Sequence, residues 1–139
     1  MNDTPPVRRL GRSFLAVLAG IVLGIVLSLG TDLLLHAVGL WPALGQPMSG
    51  PMLLLATLYR TLYGVLSSYV TARLAPHSPM IHSLVLGTLG FVVNIVGAAT
   101  TWNKVPSLGP HWYPVALVVL ALPTAWLGGK LREDQLVKQ

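Results

Sequence analysis

The chain has 139 residues, 53% of them hydrophobic and 9% charged, where a soluble domain carries about 25% charged residues. Such a composition excludes a soluble globular domain and implies a membrane protein. With no cysteine, disulfide frameworks, thiolate metal sites and cysteine nucleophiles are excluded as well.

Residues 1–12 carry Pro5, Pro6, Arg8, Arg9 and Arg12 and read as a disordered tail, or one resting on lipid headgroups. The apolar run 13–39 then exceeds the ~7–15 residues of a cleavable signal core, so it reads as a retained first span. Gly39-Leu40-Trp41-Pro42 ends that span and opens a short external loop. The second span, 51–73, starts on Pro51, a residue suited to the first helical position. The turn 74–79 is short enough to make spans two and three an antiparallel hairpin, with Ser78 as N-cap and Pro79 at the first helical position. The third span covers 80–101, an external loop covers 102–111, and the fourth span covers 112–130. Pro123 is expected to kink the fourth span, and Gly128-Gly129 to terminate it.

Each stretch is long enough for the ~20 residues that a helix needs to cross ~30 Å of hydrocarbon. Arg8, Arg9 and Arg12 precede the first span, Arg73 closes the second, and Lys130, Arg132 and Lys138 follow the fourth, whereas only Lys104 lies opposite. The positive-inside rule therefore puts both termini on the cytoplasmic side. The net charge of +5 is a topology signal and not a nucleic-acid-binding patch. Trp41, Trp102, Trp112 and Tyr113 form an external aromatic belt in this reading, with Trp126 on the internal side. The expected fold is all-α, a single domain over 1–139 forming a bundle of four transmembrane helices.

Every fourth residue of the first span gives Ala16, Gly20, Gly24, Ser28, Asp32 and His36, and the second span answers with Ala56, Arg60, Gly64, Ser68 and Ala72. Small residues at this spacing let helix backbones approach closely in lipid, so the two ridges are expected to face each other. Gly87, Gly90, Asn94 and Gly97 form a further small face on the third span.

At ~1.5 Å per residue, Asp32 and Arg60 each lie about 12 Å inside the external helix ends, and Asn94 about 10 Å. An unpartnered charge in the bilayer costs about 2.5–3.5 kcal/mol, so each needs a partner or water. A polar layer of Asp32, Arg60 and Asn94 follows, with His36 one turn above and Tyr59 and Tyr63 adding hydroxyls.

That layer has two readings. In the first it is a structural ion pair in a non-enzymatic accessory or assembly protein. In the second it is a solute site of a small transporter or binding protein, open to the external side and gated by the loop 102–111. Asp32, His36 and His111 could supply three zinc ligands, but their spacing matches no metalloprotease motif, so no metal or cofactor is assigned. No serine lies in a Gly-x-Ser-x-Gly context, and no catalytic residue is named.

The strings Thr31-Asp32-Leu33-Leu34-Leu35-His36, Leu58-Tyr59-Arg60-Thr61-Leu62-Tyr63-Gly64 and Thr101-Trp102-Asn103-Lys104 resemble those of a group of small uncharacterised bacterial membrane proteins. The resemblance implies four helices in a bacterial inner membrane and supplies no activity. In size and helix number the chain is also similar to the small multidrug exporters, but it lacks their membrane glutamate in the first helix. The expected partners are the lipid bilayer and either a second copy or another membrane protein.

Overall fold

The computed structural model describes residues 6–104 and 109–139. Among them are four long helices, α1 (Pro6–Ala37), α2 (Gly50–Leu74), α3 (Pro79–Thr101) and α4 (Trp112–Val137), with a 3-10 turn over Trp102–Lys104 and no strand. Pro5 and the loop residues 105–108 lie outside this description.

Helix α1 begins at Pro6, so residues 6–12 continue the helix where the sequence reading expected a tail. A proline at the first helical position lacks only an N–H that would be unpaired anyway, and its φ is already helical. The other end closes in a Schellman motif. Gly39 takes a φ of +76°, its N–H donates to His36 O, and the N–H of Leu40 donates to Leu35 O. Trp41 N–H also bonds Leu35 O, which turns the indole back onto the helices. Trp41 is consequently 6% exposed and does not join the interfacial belt, whereas Trp102, Trp112 and Trp126 are exposed.

Ser78 does precede α3, but its hydroxyl caps nothing; it adopts a left-handed φ of 42°, and its carbonyl accepts from Ile81 N–H and from the Nδ1–H of His82. Helix α4 runs on through Gly128 and Gly129 to Val137. These two glycines therefore do not end the helix; they are contact points.

Three helices are long and apolar enough to cross a membrane, over Arg9–Ala37, Pro79–Lys104 and Trp112–Val137. At 25 residues α2 is long enough, but it carries Thr57, Tyr59, Arg60, Tyr63, Ser67, Ser68 and Thr71 and falls short in apolar content. Its position explains this composition. Helix α2 packs against α1, α3 and α4, while α1 and α4 have no contact with each other among the described residues. Among the described residues α2 holds more buried positions than any other helix, and apart from Leu53 and Tyr59 they are small or polar: Ala56, Thr57, Ser67, Ser68, Thr71 and Ala72. Large apolar side chains point outward instead, among them Phe14 at 67% and Leu33 at 70% exposure. This is the reverse of a soluble core, and it suits helices whose packing partner is hydrocarbon and whose association depends on close backbone approach.

The close approaches centre on α4. A Cβ on Gly128 would stand 2.6 Å from Val65 O and 2.7 Å from Tyr69 N of α2, and one on Gly129 would stand 2.8 Å from Met80 Sδ of α3. Gly87 faces Ala125 of α4 and Gly64 faces Thr124. Ser83 adds a buried hydrogen bond from its hydroxyl to Ala125 O. The ridge Gly64/Ser68 thus serves α4, not α1. Gly20 and Gly24 of α1 meet Thr71 and Ser67 of α2, and Gly20 also meets Leu86 of α3.

Gly128→Ala puts a methyl against main-chain atoms that cannot swing aside, and overpacking of this kind costs about 1–3 kcal/mol. Gly30 has nothing within 4 Å of an added Cβ, so Gly30→Ala should stabilise by about 0.5–1 kcal/mol through helix propensity. Thermal melting in detergent checks the opposite signs; equal shifts would contradict the packing described.

Candidate functional site

The polar residues of α1 and α2 meet near the end of the helices that the charge distribution assigns to the external side. The Nη2 of Arg60 donates to Asp32 Oδ2 at 2.5 Å, and the Tyr59 hydroxyl donates to the other carboxylate oxygen, Oδ1. Neighbouring residues on a helix point about 100° apart, so Tyr59 and Arg60 approach the carboxylate from two sides. One turn further along α2, the Tyr63 hydroxyl shares a hydrogen bond of 2.8 Å with Thr31 Oγ1. Consecutive residues 31 and 32 of α1 are thus clasped by 59, 60 and 63 of α2. The clasp is compact: the Tyr59 and Tyr63 rings lie 5.7 Å apart, and the Arg60 guanidinium lies 6.0 Å from the Tyr59 ring.

A cluster of Trp41, Ala56 and Tyr59, with Leu35, Met52 and Tyr113 packed against it, covers the clasp on its loop side. Leu35, and not His36, joins this cluster. The His36 Nδ1–H donates to Asp32 O at 2.7 Å, an interaction within its own helix, and the His111 ring lies 4.4 Å from that of Trp102. Among the described residues no three His, Cys, Asp or Glu side chains converge as a metal site.

Asn94 bonds away from the Asp32–Arg60 pair. Its Nδ2 donates to Leu117 O at 3.1 Å, which ties α3 to α4 on another side of the molecule.

On the opposite side of the clasp from the aromatic cluster, a cleft of about 540 Å³ runs toward the middle of the helices. It is walled by residues 20–29 of α1, 60–68 of α2 and 86–93 of α3, with Ala121 and Thr124 of α4 at its base. Ser28 and Gly90, expected as helix-packing residues, line this space instead; Gly90 has nothing within 4 Å of where its Cβ would be. Arg60 closes one end and remains 33% exposed. Its Nε and the Oγ of Ser67 are buried without a hydrogen-bond partner, as is Thr71 Oγ1 deeper between α1 and α2. An unsatisfied buried donor or acceptor costs about 1–3 kcal/mol.

Depth counting pairs Asp32 with Arg60, but it misses Thr31 and Ser67. Both were within reach: Thr31 adjoins Asp32, and Ser67 continues the row Tyr59, Tyr63, Ser67, Thr71 at four-residue spacing. Comparisons with protein-family models, curated proteins and solved structures find no match, so the site's chemistry is argued from its own atoms.

Removing one partner of a buried ion pair strands the other, and with this pair partly exposed we expect Asp32→Asn and Arg60→Gln each to cost about 2–3 kcal/mol. The double variant should recover at least about 1 kcal/mol of the summed loss, as contacting residues do. Tyr59→Phe should cost about 1–2 kcal/mol through one charge-assisted hydrogen bond. A double-mutant cycle by detergent melting measures these values, and strict additivity would dissolve the clasp.

Proposed function

We propose that this chain is an integral membrane protein of four spans with both termini cytoplasmic, and that it binds a small, mostly apolar molecule in the cleft beside the Asp32–Arg60 clasp. Binding, not catalysis, is the activity assigned. The observation that carries the reading is the cleft itself: an open space of about 540 Å³ at the level of the only ion pair linking two helices among the described residues. A purely structural pair calls for no such space. Pockets that hold small molecules are mainly apolar with a few placed polar groups, and this one combines Ile21, Leu86 and Val93 with Arg60, Ser67 and Ser68.

The place of α2 in the structure supports its reading as a fourth span. Its polar residues face protein on several sides, so the helix needs less apolar surface than α1, α3 or α4 to sit in a bilayer. The short turn between α2 and α3 then returns the chain across the membrane, which gives an even number of spans and puts both termini on one side. The basic residues at the α2–α3 turn and both chain ends make that side cytoplasmic.

The structural reading, an accessory protein whose ion pair only fixes helix register, is favoured by one observation. Both carboxylate oxygens of Asp32 are already partnered within the chain.

Native mass spectrometry of the full chain released from lipid nanodiscs separates the two. Wild type is expected to retain a small-molecule adduct that Gly90→Leu, whose side chain would enter the cleft, loses without a fall in melting temperature. An adduct-free wild type, or an adduct untouched by filling the cleft, would leave the structural reading standing. Reporter fusions at each terminus check orientation, and an external signal from either would refute the topology.

A further inference from the structure

Resting on the binding reading above, we infer that the cleft is filled sideways, from the hydrocarbon phase, by a neutral chain-bearing amphiphile that places a hydrogen-bond acceptor at Arg60. The shape of the opening carries the first part. Ile25 and Leu29 of α1 and Leu89 and Val93 of α3 line the cleft and are 52%, 56%, 45% and 68% exposed. The mouth is therefore an apolar gap between two helices that both present apolar faces outward. Above Arg60 the way toward the loops is covered by the buried Trp41 and Tyr59 with their packed neighbours.

The cleft is also elongated. A second hollow of about 420 Å³ between α1 and α3, bordered by Leu10, Phe14, Val17, Ile81 and His82, shares Ile21 and Leu89 with the first. From Leu10 to Leu29 the α1 wall is ~28 Å long at ~1.5 Å per residue. A slender chain fits that groove along its length, whereas a compact solute would occupy one part of it.

The polar end carries the rest. Arg60 and Asp32 bring one charge of each sign, so the closed end of the groove is formally neutral and offers no net attraction to an anion. What remains there is the Arg60 Nε–H, a donor without an acceptor, in a region where unmade hydrogen bonds are costly. An ester or ketone oxygen meets that need without adding charge.

The test uses the full chain in dioleoylphosphatidylcholine vesicles with methyl hexadecanoate bearing a mid-chain diazirine, and maps photolabelled residues by peptide mass spectrometry. Expected is saturable labelling along 10–29 of α1 and 81–93 of α3, competed by unlabelled methyl hexadecanoate and at least about fivefold less by hexadecanoate anion. Gly90→Leu and, from the other wall, Ile25→Trp should each reduce labelling about fivefold or more while the helical circular dichroism is kept, so a folding failure in one leaves the other informative. Labelling that is unsaturable and equal on Leu15, Val22 and Val26, which face away from α3, would overturn the inference. So would equal competition by the anion. If labelling fails while the native mass spectrum still carries an adduct, lateral filling by a neutral chain is wrong and the binding reading stands. If both fail, both fall.

Discussion

The carboxylate of Asp32, held between Tyr59 and Arg60, is the constraint on which the arrangement of α1 depends. Among the described residues helix α1 has no contact with α4 and only a limited one with α3, so α2 holds it. It is held at two places: through Asp32 and Thr31 near one end, and through Gly20 against Thr71 and Leu86 nearer the other. Between those points Gly24 touches Ser67 of α2 and, with Ser28, also borders open space. A helix is stiff over three turns, so pinning its ends fixes the gap in the middle. The clasp and the cleft are thus one construction.

The other three helices are organised differently. Helices α2, α3 and α4 approach through Gly64, Gly87, Gly128 and Gly129, with mostly small side chains and, at Gly128, main-chain atoms as neighbours, and α3 and α4 are tied by side chains that donate to backbone carbonyls, Ser83 to Ala125 and Asn94 to Leu117. Interactions of this type do not rely on a hydrophobic driving force, which is absent between helices in lipid. The small side chains that permit them also explain why so little of the buried interior is large and apolar.

Counting residues along a helix gives depth, and depth was enough to match Asp32 with Arg60. It gives no azimuth. Asn94 bonds α4, and every-fourth rows lose their facing because four residues turn a helix by about 400°, a drift of ~40° per step. Over 60, 64 and 68 the row turns away from α1 and onto α4. On α1 the seam shifts from the four-step row to a three-step one between Ser28 and Thr31, so Leu35 enters the packed cluster and His36 leaves it. Helix α2 packs against the three other helices and carries polar residues among them, which lowers its apolar content below that of its neighbours. The cleft itself is not legible in sequence, because a space depends on where helices diverge and the residue pattern marks only where they meet.

The dependence of α1 on α2 also bears on how such a chain is made. In the proposed topology α1 is synthesised first, yet the partners of its carboxylate, Tyr59 and Arg60, lie on the segment that follows. Entering hydrocarbon alone, Asp32 would cost about 2.5–3.5 kcal/mol, and Arg60 would meet a similar penalty. Entering together, each removes the other's cost, which favours α1 and α2 crossing as a hairpin and not as successive single helices. The same asymmetry sets the order in which the structure comes apart. Because α1 is tied to a single neighbour over most of its length, it is the first element to separate, leaving the glycine-packed α2–α3–α4 unit as the last to open.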